Sequence, residues 1–184
     1  AGMKAGLQKF WIVTGYRRDE LWEFLEELGR RLDVLIEELH NDSWEGSNGV
    51  SVLRAADVLH NPFVLLMSDH LFDPEIIHLL CQCPRDGIDV CLAVDGNTDS
   101  RDLIDVEDVT KVRLDEDMIV DIGKGLKEYD AYDTGIFLCS PGLFDALRDV
   151  ARDRGDASLS DGVRWLGRRR RARACDIGEL FWMD

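Results

Sequence analysis

Two apolar periods alternate along the chain, and each switch between them marks a new element. Lys9–Thr14 (KFWIVT) reads as a strand ending at Gly15-Tyr16. Near residues 17–19 the spacing becomes helical, with Leu21, Leu25, Leu28 and Leu32 on one face. Residues 35–38 predict a second strand, followed by a polar loop, HNDSWEGSNG. Ser47 is placed to cap the next helix, whose stripe is Val52, Ala56 and Leu59. The run 63–68 is apolar almost throughout, so a strand buried on both faces is expected, as in a parallel sheet.

Asp73-Pro74-Glu75 then gives a cap, a proline at the first helical position and an early acid, with the helix ending near Cys83-Pro84. Residues 88–94 form another buried strand, and an acidic loop covers 95–108. Residues 109–114 and 118–122 predict a hairpin turning at Asp115-Glu116-Asp117. A strand over 132–139 leads to Ser140-Pro141 and a helix carrying Leu143, Phe144, Leu147 and Val150. Ser158 and Asp161 have capping-box spacing before a helix with Val163 and Leu166, and 172–177 completes the strands. No internal repeat or interdomain linker interrupts this order.

Strand–helix alternation with a hairpin insertion predicts an α/β domain around a largely parallel sheet. Ligands of such sheets sit beyond the carboxyl ends of the strands. Asp69-His70 and Gly15-Tyr16 both stand at such ends.

Charge narrows the classes. With 37 acids against 22 bases the net charge is −15, which argues against a general nucleic-acid binder. A few cations or a metal ion can still neutralise a nucleotide's phosphates locally. No apolar run approaches the ~20 residues of a membrane span, and no signal peptide is visible. The cysteines (Cys81, Cys83, Cys91, Cys139 and Cys175) lack paired zinc-ligand spacing and read as buried free thiols in a reducing cytoplasm.

Candidate chemistry sits at a few positions. Asp69, at the mouth of a dry strand, is a hard oxygen ligand suited to Mg²⁺, or else a loop acid capping a turn. EGSNGVSVLRA joins a small polar loop to a helix N-terminus, fit for a ligand or for simple capping by Ser47. Lys124, one of five lysines, lies between two glycines after a strand; it would hold a phosphate as a point charge or stay solvated. Asp184 ends LFWMD, a second carboxylate or a terminal acid. The acidic loop fails as a calcium loop: Asp95, Asn97 and Asp99 fit, but Ser100 and Val106 stand where Gly and Glu are required. The basic run 168–171 with Arg173 reads as a solvated helix end. Neither a P-loop, a Gly-x-Gly-x-x-Gly nor a Gly-x-Ser-x-Gly is present.

Four segments in order resemble the nucleotidyltransferases that make activated sugar or alcohol phosphates: FWIVTGYRRDEL, NDSWEGSNGVSVLRA, FVLLMSDHLFDPEII and IGKGLKEYDAYDTGIF. LSDGVRWL and GELFWMD extend the match over nearly the whole chain. The resemblance is above all to archaeal-type CTP:inositol-1-phosphate cytidylyltransferases. It implies a three-layer Rossmann-like fold with a mostly parallel mixed sheet and a β-hairpin insertion, as one domain over 1–184. It further implies Mg²⁺ on Asp69 and Asp184, with Asp69 and Lys124 catalytic. Ser47, Asn48 and Asp69 would meet the nucleotide, CTP or another NTP. Lys124 and Asp133 would meet the phosphorylated small-molecule acceptor.

The family's Gly-rich triphosphate loop and first strand are not found here, so a truncated, poorly active fragment is expected. Fusion to a membrane-embedded transferase domain is a further implication. Sugar 1-phosphate and phosphocholine remain alternative acceptors, and a non-catalytic regulatory module is the alternative from another class.

Overall fold

Strand β5, Val90–Asp95, is buried at every residue, so it demands cover on both faces and partners on both edges. The computed structural model describes residues 1–98 and 105–184 and supplies that cover. Asp99 and Ser100 of the acidic loop lie outside the described residues.

The elements in order are β1 (Lys9–Thr14), α1 (Arg18–Leu32), β2 (Leu35–His40), α2 (Asn48–Leu53), β3 (Phe63–Leu66), β4 (Leu71–Phe72) and α3 (Glu75–Gln82). After β5 come β6 (Lys111–Asp115), β7 (Met118–Gly123), β8 (Ala131–Cys139), α4 (Gly142–Arg154), α5 (Leu159–Gly167), β9 (Ala172–Asp176) and β10 (Trp182–Met183).

Six strands form one sheet in the order β3-β8-β5-β9-β7-β6. Strands β3, β5, β9 and β6 run one way, while β8 and β7 run against them. The sheet is therefore mixed: four of its six strands share one direction, β5 and β9 pair in parallel and the remaining pairings are antiparallel, and the β6–β7 hairpin turns at Glu116, whose φ is 57°.

Side chains alternate across β5 into two cores. Val90, Leu92 and Val94 join Leu143, Phe144 and Leu147 of α4 and Val163 and Leu166 of α5. Cys91 and Ala93 join Ile76, Ile77 and Leu80 of α3 on the opposite face. Each fully buried Leu, Ile or Phe contributes roughly 1.5–3 kcal/mol, against at most about 1 kcal/mol for an exposed ion pair, so these layers hold the domain.

The basic run does not form a grip for a ligand. Arg169 stacks 3.4 Å from the Trp165 ring, Arg170 pairs with Asp115 at 2.9 Å and Arg171 with Asp89 at 2.5 Å. Among the described residues no helix is long and apolar enough to cross a membrane.

Three expectations are corrected. Strand β3 is half-buried rather than buried on both faces, because among the described residues it lies at the edge of the sheet and pairs only with the antiparallel β8. On α1 only Leu25 of the predicted stripe is buried, while Leu21 and Leu32 are exposed. This helix packs on the separate two-stranded parallel sheet β1–β2, which offers a narrow apolar face. Ser47 precedes α2, but its hydroxyl donates to Asp156 Oδ2 at 2.5 Å instead of capping the helix.

The β1–β2 unit is tied to α1 by a forked contact. Arg18 donates through Nε and Nη2 to Glu38 at 2.7 and 2.6 Å, and Thr14 Oγ1 donates to the same carboxylate at 2.5 Å. The Arg18 guanidinium first, and then Thr14, hold Glu38 far below its ordinary value, at about 2. A lowered carboxyl value contributes stability that is complete above about 4.5 and disappears as pH falls toward 2. Glu38→Gln is therefore expected to melt below the wild type at pH 6, with the gap closing between pH 4.5 and 2 in paired thermal melts. A gap independent of pH would reject this account.

Candidate active site

The cleft begins with a fault in the register of β8. Leu92 lies opposite Phe137, yet Val94 lies opposite Asp133, so β8 carries extra residues against β5. Such a bulge bends the strand and re-aims its side chains. Thr134 Oγ1 donates to the Ala93 carbonyl at 2.8 Å, and the Gly135 N–H donates to Asp133 Oδ1 at 2.8 Å. Gly135 has φ +73°, and a Cβ there would lie 2.6 Å from the His70 ring. Conformation and close approach both require glycine at this position.

The chain leaving β3 is fixed to the bulge by the Met67 N–H, which donates to the Gly135 carbonyl at 3.1 Å. Asp69-His70 follow. His70 Nδ1 donates to Asp69 Oδ1 at 2.8 Å and holds that carboxyl below its usual range. The His70 side chain is 13% exposed and Asp69 76%, so the imidazole anchors while the carboxylate opens to the cleft.

Strand β10 now joins β4, antiparallel, with Trp182 opposite Phe72 and Met183 opposite Leu71. Asp184 thus falls one step beyond the ladder, beside His70. The Trp182 ring stacks on His70 with centroids 6.4 Å apart, and its Nε1 donates to the buried Asp95 at 2.7 Å.

Asn48, Asp69, Lys124, Asp133 and Asp184 line one cavity of about 220 Å³. Five of the six predicted residues are therefore brought together. Ser47 is not among them. Asn48 is held by its Oδ1, which accepts from the Leu159 N–H at 2.8 Å where α5 begins. Asp108, Thr110 and Ser160 also line the cavity and were not singled out in the sequence. Asp108 takes the Lys124 ammonium at 2.5 Å, and lay unremarked inside a generally acidic loop.

Burial pushes the Asp133 carboxyl up to about 6; Asp184 adds to the rise, and the Gly135 N–H and His70 oppose it. The residue as a whole is only half-buried, but its carboxyl group points inward, and that enclosure sets the direction.

Among the described residues that line it, four carboxylates stand against one lysine, and such a cleft calls for a cation. Among the described residues no three acidic, histidine or cysteine side chains are gathered as a complete metal cage. Hard divalent ions such as Mg²⁺ take one or two carboxylates and complete their shell with water and phosphate oxygens. The crowding of Asp184 on Asp133 fits that donor set.

The architecture is that of the nucleotidyltransferases. It superposes on a putative glucose-1-phosphate thymidylyltransferase from Bacillus anthracis with a TM-score of 0.77 at 17% identity, over 99% of this chain and 72% of that one. The inositol-1-phosphate CTP transferase from T. maritima is nearer, with a TM-score of 0.85 at 26% identity, over 99% of this chain and 71% of that one.

In sequence the chain is 33% identical over 177 residues to the "Bifunctional IPC transferase and DIPP synthase" of Rubrobacter xylanophilus, covering 94% of this chain and 37% of that protein. It is 30% identical over 183 residues to the protein of that name from Thermococcus kodakarensis, covering 97% of this chain and 38% of the relative. The chain thus spans a little over a third of these curated relatives. No protein-family model matches it. The resemblance read from the four segments holds along nearly the whole chain.

A raised carboxyl value means that ionised Asp133 costs stability above about pH 6, a cost that fades as pH falls toward 3.8. Asn keeps the acceptor for Gly135 and removes the charge. In chelator-treated protein, Asp133→Asn is expected to stabilise by about 1–3 kcal/mol at pH 7.5 and by nothing near pH 4. Denaturant unfolding at the two pH values checks this, and a loss of stability at pH 7.5 would reject it.

Proposed function

We propose that this chain is a nucleotidyltransferase domain transferring CMP from CTP to inositol 1-phosphate, with release of pyrophosphate. The observation that carries the proposal is the β4–β10 ladder, which brings Asp184 to the cleft that Asp69, Asp133 and Lys124 already line. The printed names of the T. maritima structure and of the bifunctional relatives support the choice of nucleotide and acceptor. Fusion to a further, membrane-embedded transferase domain is part of the same reading, suggested by the bifunctional names of relatives the chain only partly spans.

In this reaction a phosphate oxygen of the acceptor forms a bond to the α-phosphorus of CTP. The bond from that phosphorus to the bridging oxygen breaks, and pyrophosphate leaves. The protein's task is positioning and neutralisation of charge. Asp69 and Asp184 are the residues proposed to hold Mg²⁺, which when bound would neutralise charge on the phosphates. Asp69 is oriented for this by His70.

Lys124 would take the acceptor's phosphate, exchanging its ion pair with Asp108 for one with the substrate. Asp133 stands beside it. Asn48, tied to the start of α5, would fix the nucleotide side of the cleft, while Ser47 and Asp156 hold the approach loop.

The test is pyrophosphate release by the full-length gene product supplied with Mg²⁺, CTP and inositol 1-phosphate, glucose 1-phosphate or phosphocholine in turn. Turnover with inositol 1-phosphate is expected. Asp69→Ala should reduce kcat on the order of a hundredfold or more. Lys124→Ala should raise the KM for the acceptor roughly tenfold, with a smaller change for CTP. Turnover with another acceptor would reassign the substrate, and none with any acceptor from folded protein would overturn the enzymatic reading.

A further inference from the structure

Three of the cysteines converge where α3 ends against β5 and β9. Cys83 closes α3 and is buried, Cys91 is buried in β5, and half-buried Cys175 packs against the same apolar cluster from β9. Register sets Arg173 beside Cys91 and Cys175 beside Ala93, so both thiol-bearing strands face the end of α3 where Cys83 sits. None of the three lines the nucleotide cleft.

Arg173 is brought to this point from β9. Its Nη1 donates to the carbonyl of Pro84, the residue after Cys83, at 2.8 Å, and its Nε pairs with Asp117 at 3.1 Å. Cys83 is the last buried residue before an exposed loop, 84–87, so little protein covers it.

Thiolates, not thiols, react with peroxides, and neighbouring guanidinium groups favour them. Donation by Cys175 and then Cys91, with Arg173 and Arg85 beside them, holds Cys83 well below the ordinary thiol range. Cys175 and Cys91 are pushed up because each stays protonated as a donor to the Cys83 sulfur and burial disfavours its thiolate. The end of α3 opposes a negative charge at Cys83, and the two thiol donors and two arginines outnumber it.

We propose that Cys83 is a peroxide-reactive thiol that closes a disulfide with Cys175, a modification site separate from the nucleotide cleft. Cys83 thiolate attacks hydrogen peroxide; the S–O bond forms, the O–O bond breaks, and hydroxide leaves with two electrons taken from sulfur. Cys175 attacks the resulting sulfenic acid; the S–S bond forms, the S–O bond breaks, and the departing hydroxide takes the Cys175 proton as water.

Cys175 rather than Cys91 is the partner. Cys91 is 1% exposed, whereas Cys175 is half-buried and reachable from the surface. The bond would staple the end of the β4–α3 segment to β9, just ahead of β10, and so clamp both arms of the ladder beside the cleft. The inference stands whether or not the chain transfers CMP.

The test uses the reduced full chain, a few equivalents of hydrogen peroxide, alkylation of remaining thiols and non-reducing peptide mapping. A Cys83–Cys175 peptide reversed by dithiothreitol is expected, absent in Cys83→Ser and retained in Cys91→Ser. In Cys175→Ser, a sulfenic-acid probe should label Cys83 on the order of tenfold faster than the exposed Cys81. Faster reaction at Cys81, a Cys83–Cys91 link, or no link in wild-type protein would each overturn the proposal.

Discussion

The His70 ring lies against the backbone of Gly135, and the geometry of the cleft depends on that contact. Any side chain at 135 would drive the imidazole away, and with it Asp69 on one side and Trp182 on the other. The bulge that frees Gly135 to adopt φ +73° is the same one that turns Asp133 inward. A two-residue ladder such as β4–β10 is weak by itself, since each hydrogen bond is worth only about 1 kcal/mol net. Trp182, 2% exposed and bonded to Asp95, adds burial worth several times that and keeps the end of the chain in place.

Electrostatics gives the cleft its character. A chain of net charge −15 is a poor host for polyphosphate unless charge is balanced at close range. Screening over about 10 Å makes distant surface acids nearly irrelevant, whereas the carboxylates of the cleft act at contact distance. Among the described residues a single lysine, already paired with Asp108, meets four acids there. A hard cation between carboxylates and phosphates, as in the proposed function, would resolve that imbalance.

Packing separates a firm part of the molecule from a looser one. Strand β5 is covered on both faces by helices, and the cysteine cluster lies within one of those layers. The β1–β2 sheet with α1 shares no strand with the larger sheet among the described residues, and its apolar stripe is partly open. Polar contacts of the Arg18–Glu38–Thr14 kind matter more there, because less apolar surface is buried.

Local pattern determined a good deal. Apolar runs gave β5 and β8, helical spacing gave α4 and α5, and Ser158 with Asp161 forms the expected capping box. These signals are legible because each depends on residues within one or two turns of one another. Asp69, Lys124 and Asp184 were visible as candidates from the segments that bear the resemblance.

Only the tertiary structure decided which of them meet. The family resemblance alone pointed Asp184 toward Asp69; a two-residue strand has no period to read, so local pattern missed β4 and β10. The same holds for the loss of Ser47 to Asp156, 109 positions away, for Asp108 opposite Lys124, and for three cysteines converging on one another. Each is a contact between segments remote in sequence, fixed by strand register and side-chain packing rather than by local propensity.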